Sequence, residues 1–407
     1  MDPAPPRRAA LIFIFFTVLL DMLAFGMIVP VLPKLIEGFM GGDAGKAAEV
    51  YGLFGTVWAL MQLIFMPILG SLSDRLGRRP VILASVTGLG LDFILMALAP
   101  NVSWLLVGRI ISGITSANMS TSSAYIADVT PPDKRSGAYG MMGAAFGVGF
   151  ILGPAVGGLL GSIEPRMPFW VAAGCCLLNA LYGLFVLPES LPPERRAPFN
   201  WRRANPVGAI GMLVQRADLR GLAAVKFLMD LSHLVLPSTF VLAASYRYGW
   251  TTRDVGLVMG SVGLTSMVVQ AGLVGRAVKR FGERVMLPVG LLAGAASMVI
   301  YGLASTPALF MVGVPVGALQ GFAGPSLQSL ITRKVSPSEQ GRLQGALSSA
   351  QGFAGMLGPG LFTQTFSWFI SPRAAMHLPG AAFLLAGVIL SGALALALRV
   401  TRGEAAA

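Results

Sequence analysis

Long apolar runs separated by short polar loops dominate this chain. Six runs of roughly 20 residues, the length that a helix needs to cross a bilayer, precede a polar stretch at about 189–218, and six more follow it. Each is predicted to be a helix, because in lipid only a helix satisfies the backbone of a separate span. The fold class predicted is an all-α membrane protein with twelve transmembrane helices. The runs lie at about 10–36, 51–70, 80–99, 103–126, 137–161, 168–188, 219–245, 254–275, 285–304, 308–332, 342–370 and 378–399.

Composition and charge agree with this pattern. The chain is 55% hydrophobic and only 12% charged, with a mean hydropathy of +0.72. If both termini are cytoplasmic, most of the 30 Lys and Arg residues lie at cytoplasmic loops, as the positive-inside rule requires. The net charge of +12 is thus spread over short loops with no basic domain, which excludes nucleic acid as a partner.

The two sets of runs are related by an internal repeat. The stretch "GSLSDRLGRRP" at 70–80 has its counterpart in "GRAVKRFGER" at 275–284. The predicted domains are an N-terminal six-helix bundle at 1–188, a cytoplasmic linker at 189–218 and a C-terminal six-helix bundle at 219–407. Two halves in parallel repeat are a transporter architecture, in which the substrate binds near the midplane.

The duplicated loop is predicted to be a hinge and gate element. An anchor for membrane orientation would explain its arginines but not its aspartate or its glycines. Lys279 stands in the second copy where the first has Asp74, so the gate is expected to be asymmetric. The gating residues predicted here are Gly70, Asp74, Arg75, Gly77, Arg78 and Arg79.

Several stretches resemble signatures of the major facilitator superfamily. The 70–80 loop is similar to its pattern between helices 2 and 3, and "DMLAFGMIVPVLP", "GRIISGITSA" and "GVGFILGPAVGG" are similar to its signatures in helices 1, 4 and 5. With "AYIADVT" and "YRYGW", the chain resembles the tetracycline/proton antiporter group of drug exporters. The resemblance adds gating residues in helices 4 and 5, namely Asp128, Gly149, Gly153, Pro154 and Gly157.

This resemblance implies a function and a location. We expect a proton-coupled efflux transporter of drug-like small molecules that works by alternating access, as a monomer in the bacterial inner membrane, with both termini cytoplasmic. The proton is the coupling ion, and no other cofactor is expected. The alternative is an uncoupled facilitator, or a proton-coupled importer, of a small organic solute with the same fold.

Buried charges in the N-terminal half are the first candidates for proton coupling. Asp21 and Asp92 lie mid-span, where a bare carboxylate is costly and functional roles are the default. Arg109 keeps its proton, so it must be paired or solvated. Arg109 either takes part in coupling or forms a structural pair with one of the two aspartates.

The C-terminal half departs from the antiporter pattern. Ser266 and Gly294 stand near the positions where the group carries a coupling histidine in helix 8 and an aspartate in helix 9. Lys226, Asp230 and His233 follow one face of helix 7 and form either a proton relay or an ion pair beside a packed histidine. Neutral amides, Gln270 and Gln328 above all, with Gln320, Gln344, Gln351, Asn118, Tyr125, Phe93 and Met61, suit a cavity for a polar, partly aromatic ligand.

Other chemistries are excluded by what the sequence lacks. It has no G-x-x-x-x-G-K-[ST] phosphate loop, so it is not predicted to be an ATP-driven pump. The two histidines, at 233 and 377, are too few and too far apart for a metal cluster or a Ser-His-Asp site. No enzyme is therefore predicted.

Overall fold

The structure is a computed structural model, and it describes residues 8–115, 118–131, 134–197, 211, 213–336 and 339–403. Helices make up nearly all of this part of the chain, and it contains no β-strand. The all-α class predicted from the apolar runs is therefore confirmed. The α-helices are α1 (Arg8–Ile28), α2 (Leu32–Phe39), α3 (Ala44–Leu76), α4 (Arg78–Leu98), α5 (Val102–Thr115), α6 (Asn118–Val129), α7 (Arg135–Ile163), α8 (Met167–Val186), α9 (Ala217–His233), α10 (Val235–Tyr248), α11 (Thr252–Val269), α12 (Gly275–Phe281), α13 (Glu283–Leu303), α14 (Pro307–Ala318), α15 (Ala323–Thr332), α16 (Gln340–Ile370) and α17 (Ala381–Gly403).

Ten segments of the described residues are long and apolar enough to cross a membrane. The fourth and eleventh predicted spans are helical as well, in α5 with α6 and in α16, but are not among these ten. The eleventh is rich in Gly, Ser and Thr, which lowers its hydropathy, and in the fourth, residues 116–117 between α5 and α6 lie outside the described residues. The ten segments are Ile12–Phe39, Ala44–Leu76, Arg78–Leu98, Gly137–Ile163, Met167–Val186, Asp218–Tyr248, Thr252–Phe281, Glu283–Leu303, Pro307–Thr332 and Ala381–Thr401.

Three predicted spans are interrupted rather than continuous. The first breaks between α1 and α2, next to Pro30, and the seventh breaks at Leu234. The tenth changes to a 3₁₀-helix at Leu319–Phe322. In addition, the eighth contains a π-helical turn at Gln270–Val274. Apolar periodicity does not detect such breaks, because the hydropathy does not change across them.

Contacts divide the chain into two compact units. The described parts of 1–35, 60–205 and 252–260 form the first unit, and those of 36–59, 206–251 and 261–407 form the second. Each unit takes most of one sequence repeat and a short segment of the other. The predicted domain boundaries follow the repeat and stay a prediction, and residues 198–210 and 212 of the predicted linker lie outside the described residues.

One arginine in each unit covers the carbonyl end of a helix. In the first unit, Arg166 donates hydrogen bonds to the carbonyls of Ala97 and Ala99, at 3.1 and 2.8 Å, where α4 ends. In the second, Arg247 donates to the carbonyl of Tyr301 at 2.7 Å, where α13 ends. A cation is favoured at a helix C-terminus, where the last carbonyls have no partner within the helix.

Candidate functional site

The charged loop of the first repeat is a network centred on Arg78. This side chain is buried at the start of α4 and forms ion pairs with Asp74 at 2.6 Å and with Asp128 at 3.1 Å. It also donates to the hydroxyl of Ser73 at 2.6 Å, and Ser190 donates to Asp128 at 3.1 Å. The loop thus brings together two of its predicted gating residues with Asp128 from the end of α6.

Glu189 completes this network, although the sequence did not single it out. Its carboxylate accepts hydrogen bonds from the backbone N–H groups of Arg78 and Arg79, at 2.8 and 3.3 Å. It therefore caps the N-terminus of α4, where an anion is favoured. A Glu immediately after the sixth apolar run was the available signal, but its partner lies more than a hundred residues earlier.

Gly77 is required where it stands. Its φ of +108° is a conformation that other residues rarely adopt, and a Cβ there would lie 2.7 Å from the Cδ atom of Glu189. Gly70, by contrast, has nothing within 4 Å of a built Cβ, and Arg75 is exposed. Packing in the described residues therefore explains Gly77 and leaves Gly70 and Arg75 unexplained.

The helix 5 glycines form a close contact between α7 and α1. A Cβ on Gly149 would lie 2.7 Å from the carbonyl oxygen of Leu19, and one on Gly153 would lie 2.7 Å from the Cα atom of Gly26. Gly157 meets the backbone of Met27 in the same way. Pro154 lies within α7. Small residues at this spacing let two helix backbones approach closely, and the gating role of these residues stays a prediction.

Asp92 is the most deeply buried of the predicted acidic residues. It is 1% exposed, compared with 7% for Asp21 and 8% for Arg109. Neither carboxylate oxygen of Asp92 accepts a hydrogen bond from the described residues. Arg109 interacts with it electrostatically and donates to the sulfur of Met96 at 3.5 Å. The guanidinium thus lies within electrostatic reach of Asp92, with no hydrogen bond joining the two.

Three residues near Asp92 and Asp21 were not predicted from the sequence. A Cβ on Gly108 would lie 2.8 Å from Oδ1 of Asp92, so this glycine makes room for the carboxylate. Asn179 donates to Thr17 at 3.2 Å in a buried pair, one turn before Asp21. An asparagine within the apolar sixth run was the signal for that pair.

The seventh span forms the ion pair that was one of its two predicted alternatives, but the histidine beside it is not packed as that alternative expected. Lys226 binds both carboxylate oxygens of Asp230, and His233 interacts with Asp230 electrostatically. The His233 side chain is exposed. The three residues therefore lie together at the end of α9, and their role as a relay stays a prediction.

The predicted cavity residues divide into two groups. Tyr125 and Phe93 are buried in the interior of the first unit, and Tyr125 donates to the carbonyl of Pro188 at 3.1 Å. These two aromatics therefore pack inside the unit and do not face an open cavity. Gln270 is exposed, and Gln328 is half-buried in α15. The side chain of Asn118 lies outside the described residues.

Comparisons with known proteins identify the family of this chain. The family model of the Major Facilitator Superfamily matches residues 14–359 and 222–406. The chain is 38% identical over 358 residues to the class C tetracycline resistance protein of Escherichia coli, covering 88% of this chain and 90% of that one. It is 36% identical to the class E protein of the same organism, over 88% of this chain and 87% of the relative.

A solved structure gives the same fold. The human organic anion transporter MFSD10 (TETRAN) aligns with a TM-score of 0.71 at 25% identity, over 97% of this chain and 100% of that one. The all-helical architecture is thus the major facilitator fold, which belongs to transporters rather than enzymes. The chain belongs to the major facilitator superfamily, close to its tetracycline efflux group.

Proposed function

We propose that this transporter is a proton-coupled exporter of drug-like small molecules. It lies in the bacterial inner membrane with both termini in the cytoplasm, and the proton is its coupling ion. The observation that carries the proposal is Asp92, a carboxyl group that is 1% exposed and receives no hydrogen bond from the described residues. Burying an ionised carboxylate without hydrogen bonds costs free energy. Asp92 therefore binds or releases a proton when its surroundings change.

Arg109 supplies the charge that makes this proton exchangeable. The guanidinium stays protonated and interacts with Asp92 electrostatically. When the two groups approach, the carboxylate is favoured and the proton leaves. When they separate, or when a cationic cargo departs, the proton returns. The similarity to tetracycline resistance proteins supports outward movement of the cargo.

The gate is assigned to elements of the first unit. The ion pairs of Arg78 with Asp74 and Asp128 stabilise one state of the loop and break in the other. The glycine contact between α1 and α7 lets the two helices slide with little side-chain obstruction. Both elements are packed contacts that have two discrete arrangements in a transporter that works by alternating access.

The proposal is tested by proton movement in reconstituted vesicles. We expect tetracycline added to wild-type proteoliposomes to evoke proton movement, and Asp92→Asn to abolish it, because the amide cannot bind a proton reversibly. Glu194→Gln, which changes an exposed acid, is the matched control and should behave as wild type. Proton movement that persists in Asp92→Asn would contradict the assignment.

A second candidate is transport of an organic anion without proton coupling. The similarity to the organic anion transporter MFSD10 favours it, as does the lack of a titratable side chain at Ser266 and Gly294. Under this reading, Asp92→Asn leaves cargo flux intact and no protons move in either form. The same vesicles, with cargo flux and proton movement recorded together, distinguish the two functions.

A further inference from the structure

Two neighbouring helices of the second unit depart from α-helical geometry at one place. The eighth span, which comprises α11 and α12, has its π-helical turn at Gln270–Val274. The tenth span, which comprises α14 and α15, has its 3₁₀ turn at Leu319–Phe322. The buried side chains of Val269, Val274, Met286, Ala318 and Phe322 pack these turns together. Single π-turns are frequent at functional sites, and interrupted helices commonly form substrate sites in transporters.

Gln320, on the 3₁₀ turn of the tenth span, contacts Gly294 of α13, the ninth span. A Cβ built on Gly294 would lie 2.9 Å from Cδ and 3.0 Å from Oε1 of Gln320. The amide group therefore occupies the room that any side chain at 294 would need. Ser297 donates to the carbonyl of Gly294 at 2.8 Å, so that carbonyl already has a partner.

Gln270 is the first residue of the π-helical turn and lies next to the 3₁₀ turn that carries Gln320. Its Cγ atom is 3.4 Å from the Cβ position of Gly321. Gln270 is exposed and Gln320 is half-buried, and neither amide forms a hydrogen bond with the described residues. An amide offers two donors and an acceptor, so both amides are available to a ligand.

We propose that Gln320, held in place by Gly294, is a specificity-determining residue that binds the transported cargo. The ligand class is a neutral region that carries a hydrogen-bond donor next to an acceptor, such as a carboxamide or a hydroxyl beside a carbonyl. This inference depends on the proposed function, because the ligand that Gln320 binds is the transported cargo. Because an amide does not titrate, this contact contributes equally at acidic and neutral pH, and proton coupling stays with the first unit.

Gly294→Ala provides the decisive test because the obstacle to its Cβ is a flexible side chain. The three atoms nearest to the new methyl group all belong to the Gln320 side chain, which the methyl group therefore displaces. We would measure tetracycline binding to the purified full-length protein in lipid nanodiscs by fluorescence, for Gln320→Ala, Gly294→Ala and the double variant. Gln364→Ala removes an exposed amide on α16, and Gly387→Ala adds a methyl at an ordinary 3.4 Å contact with Met298. These two are the controls.

The expected result is a non-additive pair. Each single variant should weaken binding roughly five- to tenfold, the value of one or two hydrogen bonds. The double variant should be no weaker than Gln320→Ala alone, because Gly294 acts only through that amide. The loss should be the same at pH 6 and pH 8, while both controls bind as wild type.

Three outcomes overturn the proposal. They are wild-type affinity in Gln320→Ala, a further loss of similar size when Gly294→Ala is added to Gln320→Ala, and no tetracycline binding by the wild-type protein. Failure of the proposed function is separate, because proton movement is not part of this assay. If tetracycline binding depends on Gln320 but the protein moves no protons, the proposal for Gln320 stands and the proposal of proton coupling is wrong.

Discussion

The two copies of the repeat share a close packing contact between two helices but differ in the chemistry beside it. In the first unit, Gly108 of α5 packs against Met96 of α4, and at the matching place in the second, Gly313 of α14 packs against Tyr301 of α13. The charged Asp92 and Arg109, however, correspond to Ser297 and Val314. The packing of this helix pair therefore does not require charge, which points to a functional reason for the two charges of the first copy.

The charged loops show the same kind of difference. Arg78 pairs with Asp128 in the first unit, and the matching pair in the second is Glu283 with Arg333, at 2.5 Å. The signs are exchanged while the bridge is kept. Because Arg78 puts a positive charge at a helix N-terminus, it needs the Glu189 cap, whereas Glu283 supplies the favourable sign itself.

The largest effect is expected when the two loop glycines are compared. In Gly77→Ala, the alanine must adopt a positive φ, and its Cβ clashes with Glu189. Gly282 also has a positive φ, of +79°, but no atom lies within 4 Å of its Cβ position. We expect Gly77→Ala to cost about 2–3 kcal/mol in stability and Gly282→Ala about 1 kcal/mol less, because only the first adds a clash to the strain. Thermal unfolding in detergent, followed by tryptophan fluorescence, measures both. Equal melting temperatures for the two variants would show that the Glu189 contact is unimportant.

The second prediction separates packing from proton chemistry. Gly108→Ala and Gly313→Ala should each destabilise by about 1–3 kcal/mol through overpacking. Only Gly108→Ala should also shift the pH profile of transport, since its methyl group displaces the Asp92 carboxylate. Transport initial rates from pH 6 to pH 8, with unfolding measured in parallel, check this. A shifted profile in Gly313→Ala as well would remove the distinction between the units.

The smallest effect is expected for the ion pairs. Asp128→Asn leaves the buried Arg78 guanidinium short of one charged partner and should cost about 1–2 kcal/mol. The Arg333 side chain is 66% exposed, compared with 23% for Asp128, and exposed pairs contribute little. Arg333→Gln should therefore leave the melting temperature unchanged. A larger loss in Arg333→Gln than in Asp128→Asn would reverse the ranking.

The sequence predicted the helices well and the contacts between distant segments poorly. Apolar runs set the helix positions, because each run must satisfy its own backbone in lipid. The Lys226 to Asp230 pair was also readable, as one of two alternatives, since it follows helical periodicity, and the glycines of α7 were found through the family resemblance. Glu189, Gly108 and the contact of Gln320 with Gly294 were not, because each depends on a partner whose place is set by helix rotation. Interruptions such as the π-turn at Gln270–Val274 leave no trace in hydropathy.

The two arginines that cover the ends of α4 and α13 carry a lesson about how the duplicated halves diverged. Arg166 comes from the turn between α7 and α8, and Arg247 comes from the end of α10. The two positions do not correspond in the repeat, yet they bind matching carbonyls: Arg166 donates to Ala97 and Ala99, and Arg247 donates to Gly302 and Ala304. The same bare helix end is therefore covered by different parts of the chain in the two repeats, so the need for a cation at that end is shared while its source is not.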